Sequence, residues 1–170
     1  MLVFETAIGA CGVRWSEVGV AEVLLPRSRG LGGRGPRDLG SGVVPEMVCE
    51  AVAGMVAVLD GERRDLRSVV LDERDLDPFR RRVYAATREV GPGEIATYGE
   101  IARAIGEPGA ARAVGAALGQ NPFPIIVPCH RVLAASGALH GFSAPGGIAT
   151  KRRMLEIERA PGFTQEALFA

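Results

Sequence analysis

The chain lacks any apolar run long enough to span a bilayer, and Met1-Leu2-Val3-Phe4-Glu5 does not have the build of a signal peptide. Cysteine is scarce. Cys11, Cys49 and Cys129 are odd in number and share no disulfide-like spacing, so reduced thiols and a cytoplasmic setting are expected. Histidine is scarcer: His130 and His140 stand far from any Cys-x-x-Cys pair, which argues against a structural zinc, and no metal is expected. Aromatics make up only 5% of the chain, and the single tryptophan, Trp15, is expected to act as a packing anchor. Net charge is absent too, with twenty basic and twenty acidic residues. That balance hides an asymmetry. Residues 1–76 carry nine arginines against twelve acids, a net −3, and residues 77–160 carry eleven basic residues against seven acids, a net +4. Glu166 gives the last ten residues −1. A modest positive excess fits a phosphate-facing surface, and ordinary solvated charge would look the same.

The hydrophobic content of 47% is enough to bury a core. Segments 2–8, 10–15 and 18–25 are short, β-branched and partly alternating, with Gly9, Gly12 and Gly19 between them, and they predict an antiparallel hairpin or meander. Residues 26–44 are rich in Gly, Arg, Pro and Ser and predict a loop. Gly32-Gly33-Arg34-Gly35 within it lacks the following Gly-Lys-Ser/Thr of a phosphate-binding loop. Apolar residues at 48, 51, 52, 55, 56 and 59 form a helical stripe over Pro45–Leu59, with Cys49 a helix residue without chemistry. Leu66–Leu71 suggests a further strand. The acid-rich stretch Asp72–Asp77 is the expected domain boundary.

Asp77-Pro78 opens a helix in the usual manner, aspartate as N-cap and proline at the first position. Thr97-Tyr98-Gly99-Glu100 is a capping-box pattern. A short helix to about Ile105, a turn at Gly106–Gly109 and a second helix over Ala110–Gly119 together predict a helix-turn-helix. The second helix is almost wholly Ala, Gly, Val and Leu, with Arg112 its one charge. Such a helix cannot bring several polar side chains to base edges, but its backbone can approach DNA closely. A tightly packed core helix would have the same composition, and Arg112 as the sole long side chain favours DNA. Thr150–Arg159 predicts a final helix. Pro161-Gly162 stops it, and a loosely held tail follows. The fold class expected is α+β: a small N-terminal antiparallel sheet with a helix (1–76), a mainly helical C-terminal domain with a helix-turn-helix (77–160), and a tail (161–170).

The chemistry centres on Pro128-Cys129-His130-Arg131-Val132, after the apolar run Ile125-Ile126-Val127. A cysteine reacts as thiolate, and a neighbouring imidazole and arginine raise the thiolate fraction. Taken alone, a Cys-His pair is more often a buried structural cysteine beside a surface histidine. The flanking sequence overturns that reading. The pentapeptide resembles the active-site signature of the O6-alkylguanine-DNA alkyltransferases, the methylated-DNA–protein-cysteine methyltransferases. So, in the family's order, do Gly93-Glu94, Thr97–Ala102, Arg112-Ala113-Val114-Gly115, Asn121-Pro122 and Gly137–Phe142. The similarity runs from Asp77 to about Arg159. Ser143–Gly147 departs from it, being longer than the family's usual turn, and the departure falls on the pocket wall.

The resemblance implies single-turnover repair of double-stranded DNA. The target base is rotated out of the stack, and its O6-alkyl group moves to Cys129 without a cofactor. Thymine O4 is a second candidate donor. The resemblance also implies minor-groove binding by the second helix, with Ala110, Ala111, Ala113 and Gly115 at the DNA, and a monomer. Arg112 would fill the gap left by the flipped base, and Tyr98 would help rotate the nucleotide and donate to the leaving guanine. His130 would be the base and Glu158 its orienting carboxylate, with Glu156 the runner-up. Asn121 would brace the active-site segment. Pro124, Val132, Phe142 and Ser143 would line the pocket, and Arg131 would link elements across the core. His140 has no matching role and is expected to be exposed. Two other readings compete: a non-catalytic lesion-binding relative, which would lack the cysteine, and a Cys-His hydrolase, which would need an oxyanion hole that nothing here specifies.

Overall fold

The computed structural model describes residues 1–28, 43–139 and 141–164. Most of the loop expected over 26–44, the setting of His140 and the end of the tail therefore lie outside the described residues.

Three short strands, β1 (Leu2–Phe4), β2 (Cys11–Trp15) and β3 (Val20–Leu24), form an antiparallel sheet in chain order. Val13 pairs with Leu2 on one side and Val23 on the other. Cys11, Gly12 and Val13 are buried in succession and Arg14 is exposed, so β2 runs from the core to the surface. Helix α1 (Glu46–Leu59) covers that sheet through Val48, Ala51, Met55 and Val58. Pro45 sits just outside α1 with an extended ψ of 142°, so it flanks the helix and does not open it. Leu66–Leu71, expected as a strand, is a run of turns whose one ladder contact is a bridge from Leu71 to Val20. The Nη2 of Arg88 ties this run down by donating to the carbonyls of Leu66, Arg67 and Val69 at 2.8–2.9 Å.

Helix α2 (Pro78–Arg88) begins as its sequence dictates, Asp77 accepting from the Arg80 N–H at 2.9 Å. Helix α3 (Tyr98–Ala104) carries the full capping box. Thr97 Oγ1 accepts from the Glu100 N–H, and Glu100 Oε2 accepts from the Thr97 N–H. Helix α4 (Ala111–Gly119) packs on α3 across a short turn, with Ala110 at the N-cap position and not in the first turn. Its buried side is Val114, Ala117 and Leu118, and its exposed side Arg112, Ala113 and Ala116. Helix α5 (Gly147–Ile157) starts three residues before the expected Thr150, because Gly146 at φ 85° turns the chain into it. Glu158 is its C-cap.

Two features had no signal in the sequence. Strands β4 (Ala96–Thr97) and β5 (Val132–Leu133) pair in parallel, which fixes the start of α3 against the segment that follows Cys129. Cys129–Arg131 forms one 3-10 turn, and its three side chains are all buried. A single cluster of buried side chains runs from Cys11 through α1, α2 and α4 to Met154, with no break at residues 72–77. Phe163, within the tail expected to be loose, packs with Leu133, Leu155 and Ala160.

Thr97→Ala should remove the reciprocal cap of α3. The expected cost is about 1 kcal/mol in urea unfolding, with an unchanged m-value.

Candidate active site

Cys129 is reached by a chain that crosses the core in tight turns. Ile125 adopts a φ of 75°, a left-handed conformation that a β-branched residue holds only under constraint. The Asn121 side chain supplies that constraint. Its Nδ2 donates to the Val127 carbonyl and its Oδ1 accepts from the Phe123 N–H, both at 2.9 Å. Asn121 thus closes the loop that presents the cysteine, and it also lies on the pocket wall. The Val127 carbonyl accepts the Cys129 N–H as well, at 2.8 Å.

Behind the cysteine lies a buried ionic knot. Glu158, 6% exposed, accepts on Oε1 from His130 Nε2 and Arg131 Nη2 and on Oε2 from Arg131 Nε, each at 2.8 Å. Arg131 Nη1 donates to the Val90 carbonyl at 2.6 Å. Of the two carboxylates considered from sequence, it is therefore Glu158 and not Glu156 that meets the imidazole. Burial alone would push the Glu158 carboxyl up, but His130 and Arg131 override it and hold it at about 2. Burial pushes His130 in the other direction, towards the neutral imidazole, against the pull of Glu158. A neutral His130 cannot supply the charge that holds the carboxylate, so we assign the ion pair to Arg131 and Glu158. His130 then donates its Nε2–H, which leaves a lone pair on Nδ1. Nδ1 is buried and has no partner among the described residues.

The Cys129 thiol is raised, chiefly by burial. The Asn121 amide, the charge of Lys151 and the backbone N–H groups of Cys129 and His130 act in the opposite direction. The resting sulfur is thus a thiol beside groups that favour its anion. Lys151 is the chain's one lysine beside nineteen arginines. It is 1% exposed, donates from Nζ to the Val132 carbonyl at 2.7 Å, and lies 5.8 Å from the Tyr98 ring centroid. Neighbouring Arg152 and Arg153 share its basic character but stay exposed, and its being the chain's one lysine was the available signal.

Cys129 opens into a cavity of about 180 Å³. Tyr98, Gly115, Pro124, Phe142 and Ser143, all expected near the substrate or DNA, line it, and so does Asn121, expected as the brace of the active-site segment. Ser143 Oγ donates to the Gly119 carbonyl at 2.6 Å, which ties the long turn to the end of α4. Val132, expected in the wall, is not there. It is fully buried in the core, because its strand pairing with Ala96 turns it inward. Lys151, Leu118, Val23, Leu25 and Ser28 line the cavity without having been expected. The last three come from the N-terminal sheet and its following turn, too far away in sequence for any local pattern to reveal them.

A second, wider and mainly apolar hollow of about 610 Å³ adjoins the first through Tyr98, Gly115 and Gly141. Arg112, Ala111, Arg103 and Ala134 line it. Ala110 and Ala113 lie on neither lining. Tyr98 stands at the threshold, and burial raises its hydroxyl pKa, so the group stays protonated and able to donate.

The low pKa of Glu158 has a stability consequence. A carboxyl held at about 2 against an ordinary 4.5 stabilises the fold above pH 4.5, and that contribution is lost as pH falls towards 2. Glu158→Gln should flatten that acid limb in urea unfolding. It should also cost about 3 kcal/mol at neutral pH, because Arg131 is left buried without its counter-charge.

The comparisons agree with this geometry. Residues 78–160 match the family model described as 6-O-methylguanine DNA methyltransferase, DNA binding domain. A methylated-DNA–protein-cysteine methyltransferase of Mycobacterium tuberculosis is 49% identical over 119 residues, 70% of each chain. The crystal structure of Mycobacterium tuberculosis OGT in complex with DNA superposes with a TM-score of 0.72 at 35% identity, covering 99% of this chain and 98% of that one. The O6-methylguanine-DNA methyltransferase of Pyrococcus kodakaraensis matches with a TM-score of 0.69 at 32% identity, over 92% and 97% of the two chains. With Cys129 on the wall of a base-sized cavity and an identity of this level over most of its length, the chain belongs to the methylated-DNA–protein-cysteine methyltransferase family.

Proposed function

We propose that the protein repairs alkylated DNA by moving the alkyl group of an O6-alkylguanine onto Cys129, one transfer per molecule. The observation that carries this reading is Cys129 on the cavity wall, followed directly in the chain by a buried His130 that Glu158 orients through Nε2 and whose Nδ1 has no partner among the described residues. The thiol proton passes to Nδ1, directly or through a water, and the imidazolium so formed is stabilised by the Glu158 carboxylate. The sulfur lone pair then attacks the alkyl carbon. The S–C bond forms as the C–O6 bond breaks, and the electron pair of that bond moves into the purine. Guanine regains one proton from the uncharged Tyr98 hydroxyl, and the His130 imidazolium gives up the thiol proton to the resulting phenolate through water, so the protons balance. The thioether product is not cleaved by water, so no second turnover follows.

The substrate is double-stranded DNA entered from the minor groove by a monomer. Helix α4 offers an exposed side of Arg112 and small residues, suited to close backbone approach with little reading of sequence. Arg112 fills the space of the rotated nucleotide, and the apolar hollow beside Tyr98 faces the DNA. Residues 77–160 perform the reaction and residues 1–76 support them. A reduced thiol acting on DNA belongs in the cytoplasm; no helix among the described residues is long and apolar enough to cross a membrane. A lesion-binding role without chemistry is disfavoured by the sulfur on the cavity wall.

Incubation with a duplex carrying O6-methylguanine should add one methyl group per molecule, mapped to Cys129 by intact mass and peptide analysis. Cys129→Ser should abolish the adduct while DNA affinity is kept; alkylation at Cys11 or Cys49 instead would sink the assignment. Arg112→Ala should lower transfer from duplex DNA by about tenfold or more and spare reaction with free O6-benzylguanine, which needs no base rotation. Equal losses on both substrates would remove Arg112 from the flipping step.

A further inference from the structure

We infer that the N-terminal sheet builds the apolar wall of the alkyl pocket, and that Leu25 and Ser28 set the largest alkyl group the protein removes. The inference rests on the alkyl-transfer reading of Cys129. The cavity has a chemical division. Tyr98, Asn121, Ser143 and Lys151 supply its polar groups, which suit the edges of a purine. Val23, Leu25, Leu118 and Pro124 supply apolar surface, which suits an alkyl chain. Two of those four belong to β3 and its continuation, and Ser28 extends the same wall.

The wall is rigid. Val23 and Leu25 are two residues apart, so in an extended chain their side chains share a face. The Val23 N–H donates to the Pro122 carbonyl at 2.8 Å, stitching β3 directly to the segment that Asn121 braces. The Ser28 N–H donates to the Leu25 carbonyl at 3.1 Å, closing a turn that carries Ser28 back to the cavity. Leu25 is 1% exposed and cannot swing out to admit a larger group. Ser28 is half-buried, so a larger side chain there can enter the cavity without displacing the core. In a cavity of about 180 Å³ that Cys129 also lines, the limit on alkyl size falls where packed side chains cannot yield.

The test is a ratio of single-turnover rates, O6-benzylguanine against O6-methylguanine in otherwise identical duplexes, for wild type, Leu25→Ala and Ser28→Phe. Rates refer to active protein titrated by adduct formation, so a partly unfolded variant does not distort the ratio. Leu25→Ala should raise the benzyl-to-methyl ratio by about tenfold, and Ser28→Phe should lower it by about as much. Ratios within about twofold of wild type in both variants would overturn the inference while leaving the transfer reading intact. If wild type methylates no Cys129 from the methyl duplex, the transfer reading falls first and the inference with it.

Discussion

The site depends on one buried carboxylate. A charge in a protein interior is costly unless it is paired and hydrogen-bonded, and Glu158 is both. Its partners come from the 3-10 turn that carries Cys129, and Arg131 extends the link to the Val90 carbonyl beyond the end of α2. One ionic knot therefore holds the reactive turn against α5 and α2 together. It also sets the chemistry: with Arg131 balancing the charge of Glu158, His130 stays neutral and keeps a basic nitrogen inside the fold.

The reactive turn is held from the front by hydrogen bonds of another kind. Asn121 bonds to both limbs of the loop before Cys129, and Ile125 tolerates its left-handed φ only because the ends of that loop are closed around it. The parallel pairing of β4 with β5 then places Tyr98, the first residue of α3, beside the same cavity. Position at the site is thus set by short segments locked from several sides, and long elements serve as backing. This suits a protein that acts once, since rigidity sufficient to present a thiol need not be undone for product release.

Helix α4 illustrates how two constraints met one composition. Val114, Ala117 and Leu118 satisfy the core, and Arg112, Ala113 and Ala116 remain outside. From the sequence, a core helix and a DNA-facing helix looked alike because small residues suit both. The structure shows one side of the helix packed in the core and the other, with Arg112, left exposed.

Whatever is local and repeated was legible in the sequence. The antiparallel meander of the first strands, the stripe of α1, the Asp77-Pro78 start and the Thr97–Glu100 capping box are set by neighbouring residues, and each formed as expected. So was the family, because its motifs are contiguous words around Cys129. Tertiary contacts decided what no window of sequence contains. Leu66–Leu71 has strand composition but meets only a single bridge at Val20. Val132 was drawn inward by pairing with Ala96. Lys151 was buried by the packing of α5 against the reactive turn. Leu25 and Ser28 reach the cavity only because β3 is stitched to Pro122. These outcomes turn on which surfaces meet across long stretches of chain, and burial and hydrogen bonding at such meetings outweigh the preferences of any short segment.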